Sequence, residues 1–318
     1  MLEERIFPAD VSAGAKQDMP YSIGASLPKN AHILSELTYS EDSALLIDSE
    51  SFFDNVSFDG GTYKASGGSA VVLENRSGEI CGDVDKTTVL IFPDGFEIRA
   101  SSAIAFRNLI IIGDVKLFSG TGIRFENVHF KGKISVYSGA FETVFDFCCF
   151  SSLDNAGEDT YSVNSYISFD GIGIQSYGRG LYVQNCLLEG KGRAIVSRGS
   201  ELEIRSCTID TDKDGIGIDI ENSENALIAL SIIQGAEKSV VMADDFNSVV
   251  LCNSLVSLFT SNGKNIYVCD NILSGRLCAE NNNFLIADGN VYSDDDLDHS
   301  ARVRNNENVN AYVVAKIF

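Results

Sequence analysis

A chain of 318 residues is long enough for one large domain or two ordinary ones, and 28 glycines with only 4 prolines and no tryptophan favour strands and tight corners over helix. The net charge of −21 sets the surface against nucleic-acid phosphates and anionic lipid head groups, so neither nucleic acid nor a membrane is an expected partner. No run approaches the eighteen apolar residues of a membrane span, and the start, MLEERIFPAD, lacks the basic-then-apolar order of a secretory leader. A cytoplasmic chain is expected on that basis, or a secreted or cell-surface one if a leader once preceded it.

Residues 1–45 show no repeat. LPKNAHILSELTYSEDSALL spaces Ile33, Leu34, Leu37 and Leu45 as a helix would, and is read as part of an N-terminal cap that shields the first strand edge. From there a short sentence recurs: SFFDNVSF (51–58), IAFRNLII (104–111), IRFENVHF (123–130), TVFDFCCF (143–150), LYVQNCLL (181–188), LEIRSCTI (202–209), ALIALSII (226–233), VVLCNSLV (249–256), IYVCDNIL (266–273) and LIADGNVY (285–292). Apolar residues hold its first and third places, a turn-forming residue usually the fifth, a small one the sixth and an apolar one the eighth. The pattern is strand, corner, strand. Copies this close cannot bury an apolar face alone and must stack.

A third strand leads into each copy, as in GIGIQS (171–176), RAIVSR (193–198), GIGIDI (215–220), SVVMAD (239–244) and RLCAEN (276–281). Three parallel strands per turn of about twenty residues describe an all-β, right-handed parallel β-helix of about 10–12 coils, the hand following from the chirality of parallel crossovers. The expected division is a cap over 1–45, the helix over 46–295 and a C-terminal cap over 296–318. Asn55, Asn108, Asn127, Asn185 and Asn253 are expected at the corners, where asparagine tolerates left-handed backbone angles and can bond along the axis. One step between copies is double length, and its extra residues, SSLDNAGEDTYSVNSYISFD (151–170), are rich in turn formers; they are expected to form an inserted loop on the binding face.

The eight cysteines follow no disulfide framework. Cys148, Cys186 and Cys207 share the small slot and are expected to fill the bore. Cys252 and Cys269 are expected outward on neighbouring copies, near enough for a disulfide. With no CxxC and no histidine nearby, no metal is expected there.

The pattern of alternating apolar residues, corner Asn or Asp and small residue, preceded by DGIxI, resembles the pectin lyase-like superfamily over residues 50–295. Within it, TDKDGIGIDIENSENALIALSII (211–233) resembles the segment around the first catalytic aspartate of polygalacturonase-type glycoside hydrolases, with Asp214 and Gly215 in the motif's Asp-Gly places. The paired aspartates that follow in those enzymes are Glu237 and Lys238 here. His32, His129 and His299 lie in no Gly-His-Gly. GEDTY (157–161) with LEGKGRAIVSR (188–198) is distantly similar to pectin methylesterases, but their nucleophile position holds Arg193. The resemblance therefore implies fold and a polysaccharide partner more firmly than a reaction.

Aligning the leading strands stacks Asp170, Arg193, Asp214 and Lys238 as an alternating charge ladder. A structural role for it is opposite charges on adjacent strands. As catalytic groups, Asp170 and Asp214 would lie two coils apart, about 9–10 Å, near the carboxylate separation of inverting glycosidases. In a lyase, Arg193 or Lys238 would instead neutralise a uronate carboxylate. Gln175, Asp219 and Glu221, with Asp159, Tyr161, Tyr166 and Tyr177 from the loop or beside it, are the expected substrate contacts, the tyrosines as stacking faces for sugar rings. No cofactor is expected, save calcium if the protein is a lyase. Two function classes stay open: a polysaccharide hydrolase or lyase, and a non-catalytic glycan-binding, adhesin-like or structural β-helix.

Overall fold

A computed structural model describes residues 37–40, 47–49, 52, 55–292 and 301–304. Every strand in it pairs parallel, and the described residues form a β-solenoid of about 11 turns with no helix among them. Three sheets run the length of the coil. The leading sheet passes from Val71–Glu74 through Ile216–Glu221 to Leu277–Glu280 and Ala301–Arg304. The middle sheet passes from Leu37–Ser40 and Asn55–Asp59 through Leu181–Gln184 to Leu285–Asp288. The trailing sheet, after the corner, passes from Gly61–Lys64 through Thr208–Thr211 to Val291–Tyr292.

Alternation along each strand sends one file of side chains into the bore and the next to solvent. Aromatic rings fill the early coils: Phe106, Phe125 and Phe145 stack with centroids 4.9 and 5.2 Å apart, all fully buried. Later coils use Ile, Val and Leu, among them Ile195, Ile218, Val240, Leu258 and Leu277. At the turn between leading and middle sheets the backbones approach too closely for side chains. A Cβ on Gly178 would stand 1.9 Å from the Gly157 carbonyl oxygen, and one on Gly199 1.9 Å from that of Gly178.

The middle-to-trailing corner carries two ladders one residue apart. The outer one holds left-handed residues Asn108, Asn127, Phe147, Asn164, Asn185, Ser206, Leu230, Cys252 and Asp270. Side-chain amides link it where asparagines are adjacent, Asn127 to Asn108 at 2.9 Å and Asn185 to Asn164 at 2.6 Å. The inner ladder faces the bore and reads Cys148, Ser165, Cys186, Cys207, Ser231, Asn253, Asn271 and Asn290, all buried. Its backbone N–H groups donate to the side chain one coil on: Cys148 to Ser165 Oγ, Cys207 to Ser231 Oγ, Ser231 to Asn253 Oδ1, Asn253 to Asn271 Oδ1 and Asn271 to Asn290 Oδ1. Burial pushes the Cys148 and Cys149 thiols up, the latter to about 11, which suits filler rather than reactive cysteines.

Several expectations are corrected. Residues 151–170 are no loop: Leu153–Asn155, Glu158–Val163 and the start of Tyr166–Ser176 make a complete coil. Thr160 and Ser162 stand where neighbouring coils place Leu181 and Val183. These buried hydroxyls concealed the repeat; Thr160 Oγ1 donates to Asn155 Oδ1 at 2.9 Å. The copy placed at 249 begins one residue earlier, since Ser248 pairs with Ile266. That shift moves Asn253 off the corner into the inner ladder and puts Cys252 on the corner. Cys252 and Cys269 therefore occupy different slots, Cys269 lying opposite Leu251, and both are free thiols. Asn55 opens a strand instead of turning a corner, its Oδ1 accepting from Glu79 N. Leu37–Ser40, expected as helix, is a strand paired with Val56–Asp59 through its own partners Leu37↔Val56 to Ser40↔Asp59. Ile33, Leu34, Leu45, His32 and His299 lie outside the described residues.

Candidate functional site

The leading sheet presents the most varied outward face. Its outward file runs Asp154, Gln175, Val196, Asp219, Val241, Phe259, Cys278, each opposite the next, with Val196 covered to 1% exposure. Arg193 flanks this file on one side, and its Nη1 stands 2.6 Å from Asp219 Oδ2. Tyr177, Arg198 and Glu221 flank it on the other. Arg198 Nη2 lies 2.8 Å from Glu221 Oε2, and Gln175 donates to the Tyr177 hydroxyl. Upstream on that flank Phe118 and Tyr137 stack at 4.5 Å with Arg99 over the Phe118 ring.

The register of these strands differs from the expected charge ladder by two residues. Arg193 is opposite Ile172 and Ile216, and Lys238 is opposite Ile216. Asp170 is opposite Lys191 instead. Gly171 and Gly192 stand opposite each other and take positive φ at the bend from trailing to leading sheet, so Asp170 lies two residues before the file of Arg193. Asp214 sits in a turn closed by Gly215 N to Asp212 O, where Asp212 Oδ1 also accepts from Gly192 N at 2.9 Å. Both aspartates are exposed at this corner, still two coils apart.

The expected contacts are divided among three sheets. Gln175, Tyr177, Arg193, Asp219, Glu221 and Lys238 share the leading face. Tyr161 lies on the middle sheet, stacked on Tyr182 at 4.6 Å, with Asp159 Oδ1 at 3.5 Å from the Tyr182 hydroxyl. Tyr166 is on the trailing sheet, donating to Glu189 Oε2 at 3.1 Å. Burial pushes the Tyr161 and Tyr182 hydroxyls up, and the Asp159 carboxylate adds to it.

Two residues beyond the sequence reading complete a cleft of about 420 Å³ at the downstream end of the leading face. Phe259 forms its apolar centre. Lys238 Nζ lies 5.6 Å and Arg276 Cζ 5.9 Å from the Phe259 ring centroid. Val241, Cys278 and Glu280 complete the wall. Cations at this range are attracted by the ring quadrupole, and Arg276 Nη2 also lies 3.7 Å from the exposed Glu237 Oε1. The cleft thus offers an apolar platform and two cationic donor groups within an otherwise acidic protein. Carrying the leading-strand alignment two coils past Lys238 would have found Phe259 and Arg276. Among the described residues no cluster of His, Cys, Asp or Glu could hold a metal ion, and no helix is long and apolar enough to cross a membrane.

The fold is a parallel β-solenoid, the architecture of the right-handed parallel β-helices. Among solved structures, the chain is similar to the A-module of the Azotobacter vinelandii mannuronan C-5 epimerase AlgE6, with TM-score 0.65 and 13% identity over 83% of this chain and 91% of that one. The receptor-binding tailspike of bacteriophage Det7 matches with TM-score 0.55 and 10% identity, covering 91% of this chain and 78% of that one. The Streptococcus pneumoniae surface adhesin PfbA matches with TM-score 0.52 and 10% identity, covering 76% and 86%. No family model matches the chain, and no curated protein matches it in sequence. At these identities the likeness establishes fold alone.

Proposed function

We propose that the protein binds an extended polysaccharide laid along the outward face of the leading sheet, parallel to the solenoid axis. The observation that carries this is the Lys238–Phe259–Arg276 cleft standing in line with Asp219, Gln175 and Tyr177 and, upstream, with the Phe118–Tyr137 stack. From the rung of Leu117 to that of Thr260 is seven steps of about 4.8 Å, or about 34 Å of continuous surface. Aromatic faces receive the apolar faces of sugar rings, and Lys, Arg, Gln and carboxylate groups exchange hydrogen bonds with hydroxyls. The fold is shared with an epimerase named for mannuronan, a receptor-binding tailspike and a surface adhesin, which lends support to a glycan partner.

A glycan array tests the reading, with Phe259→Ala and Lys238→Ala as variants and Tyr161→Ala on another sheet as control. Binding lost in the first two and kept in the third is expected. Failure of the wild-type chain to retain any glycan, or equal binding by Phe259→Ala, would overturn it.

Bond cleavage is a second reading, favoured by Asp170 and Asp214 standing exposed at the corner beside the same face, two coils or about 9–10 Å apart. In a hydrolase they would serve as acid and base. In a lyase, Arg193 or Lys238 would neutralise a substrate carboxylate. Release of reducing ends or unsaturated products that disappears in Asp214→Asn is the expected sign of such chemistry; undiminished release would remove Asp214 from it.

A further inference from the structure

The outward face of the middle sheet changes character along the axis. In early coils it is charged and internally paired, Arg107 bridging Glu79 at 2.8 Å and Glu126 at 2.6 Å. In the later coils one file reads Leu227, Val249, Tyr267, Ile286 and the next reads Ala229, Leu251, Cys269. Over the corner lie Leu230, 60% exposed, and Ile232 and Ile272, 48% and 56% exposed, the last two on either side of Ser254. Exposed apolar clusters of this kind mark contacts with other macromolecules.

Charge at the borders identifies the occupant. The second file is closed upstream by Arg205 and downstream by Asp288, each two rungs from Leu251. On the flank, Glu224, Phe246 and Lys264 occupy three successive rungs, so Glu224 and Lys264 stand one rung either side of Phe246. Phe246 belongs to the same coil as Val249 and Leu251. The rung of Phe246, Val249 and Leu251 is therefore a centre about which acid and base exchange places.

We infer that this face is the interface of a two-fold homodimer whose axis runs parallel to the strands through that rung. Such an axis reverses the order of coils and keeps the strand direction. It sets Leu251 against its own copy, Ala229 against Cys269, and Leu227 against Tyr267 of the second chain. It also sets Arg205 against Asp288 and Lys264 against Glu224, each pair occurring twice, as an isologous contact requires. Glu203 Oε1 lies 2.6 Å from Nε of Arg205, and no second carboxylate pairs with that guanidinium among the described residues. A random encounter of two chains of net charge −21 is repulsive. The opposite charges of this patch offset part of that penalty where the two copies meet. The contact is small, at the low end of specific interfaces, so dimerisation is concentration-dependent. The leading face stays open, and the inference does not depend on glycan binding.

Sedimentation velocity across a concentration series is the test, on wild-type protein and on Arg205→Glu, Asp288→Arg and the double variant Arg205→Glu/Asp288→Arg. Wild-type protein is expected to move from 34.4 kDa towards twice that mass. Each single variant is expected to weaken dimerisation at least about tenfold, through two like-charge contacts per dimer. The double variant restores it, because the exchanged charges meet across the axis. Circular dichroism confirms that each variant keeps its strands. A wild-type chain that stays monomeric throughout, or a double variant no better than the singles, would overturn the inference.

Discussion

Arg193 and Asp219 form an ion pair on the leading face, Nη1 to Oδ2 at 2.6 Å, although they are one coil apart and offset along the strand. The Asp219 side chain is 13% exposed and that of Arg193 46%. The pair neutralises two charges at the middle of the proposed glycan path while leaving Gln175 and the Phe259 cleft to make contacts. Because the guanidinium is half in solvent, its contribution to stability is small. Replacing Asp219 by Asn is expected to lower unfolding free energy by about 0.2–1 kcal/mol, measured by urea denaturation, while glycan affinity falls more than stability does. A large loss of stability with intact binding would contradict this assignment.

Asn271 is fully buried and ties three coils together. Its Nδ2 lies 3.0 Å from each of three acceptors, Val250 O, Cys269 O and Asn290 Oδ1, and its Oδ1 receives Asn253 N and Asn253 Nδ2 at the same distance. Asn271→Leu strands these donors and acceptors in an apolar bore. A loss of about 3 kcal/mol or more is expected. Asn127→Ala, on the exposed outer ladder, is expected to cost about 1 kcal/mol, and comparison of the two urea midpoints checks the ranking.

Asp245 gives the fold a pH dependence. It is 2% exposed; its Oδ1 accepts Ser223 N at 3.1 Å, and its Oδ2 has no partner among the described residues. Burial raises its pKa to about 7, and the nearby carboxylates of Asp244 and Asp219 add to the rise. A raised carboxyl is protonated in both folded and unfolded chains below about pH 4 and ionised in both above about pH 7. The stabilising effect of the folded-state proton is therefore present at low pH and lost as pH rises through about 7, amounting to a few kcal/mol across that window. Asp245→Asn keeps the acceptor for Ser223 and removes the charge. It is expected to raise Tm at pH 8, to change it little at pH 4, and to flatten the curve between. A wild-type Tm unaffected by Asp245→Asn at pH 8 would contradict the assignment.

Gly178→Ala places a methyl 1.9 Å from the Gly157 carbonyl oxygen, a backbone atom that cannot move without disturbing its own coil. Expected is a loss of several kcal/mol or failure to accumulate folded protein. Gly68→Ala is the control for space: nothing lies within 4 Å of its Cβ, so only its positive-φ strain is felt.

Much of the solenoid was legible in the sequence because the corner constrains sequence locally. A left-handed residue followed by a small buried one leaves a readable pair, as in Asn185–Cys186. It failed where chemistry could substitute without changing geometry. Thr160 and Ser162 can line the bore because buried hydroxyls find partners there, and their coil passed for a loop. Asn253 can take the inner slot as readily as Cys207, so the asparagine in VVLCNSLV was assigned to the wrong ladder. The site was less legible for a related reason. Alternating apolar places let GIGIQS slide against RAIVSR, which set Asp170 beside Arg193 where Ile172 stands, and a longer turn between Thr211 and Ile216 than between Gly190 and Arg193 displaced Asp214 in the same way. Arg193, Lys238, Gln175, Tyr177, Asp219 and Glu221 lie on or next to the leading strand itself and therefore share its face.

The inner ladder also gives the molecule a direction. Each amide in that slot is satisfied by a side chain belonging to the coil that follows it in sequence, from Cys148 onward to Asn290. A chain that stops after any of these coils therefore leaves that corner's amide without its acceptor, alongside the open edges of its strands, and only the coil that follows can supply it.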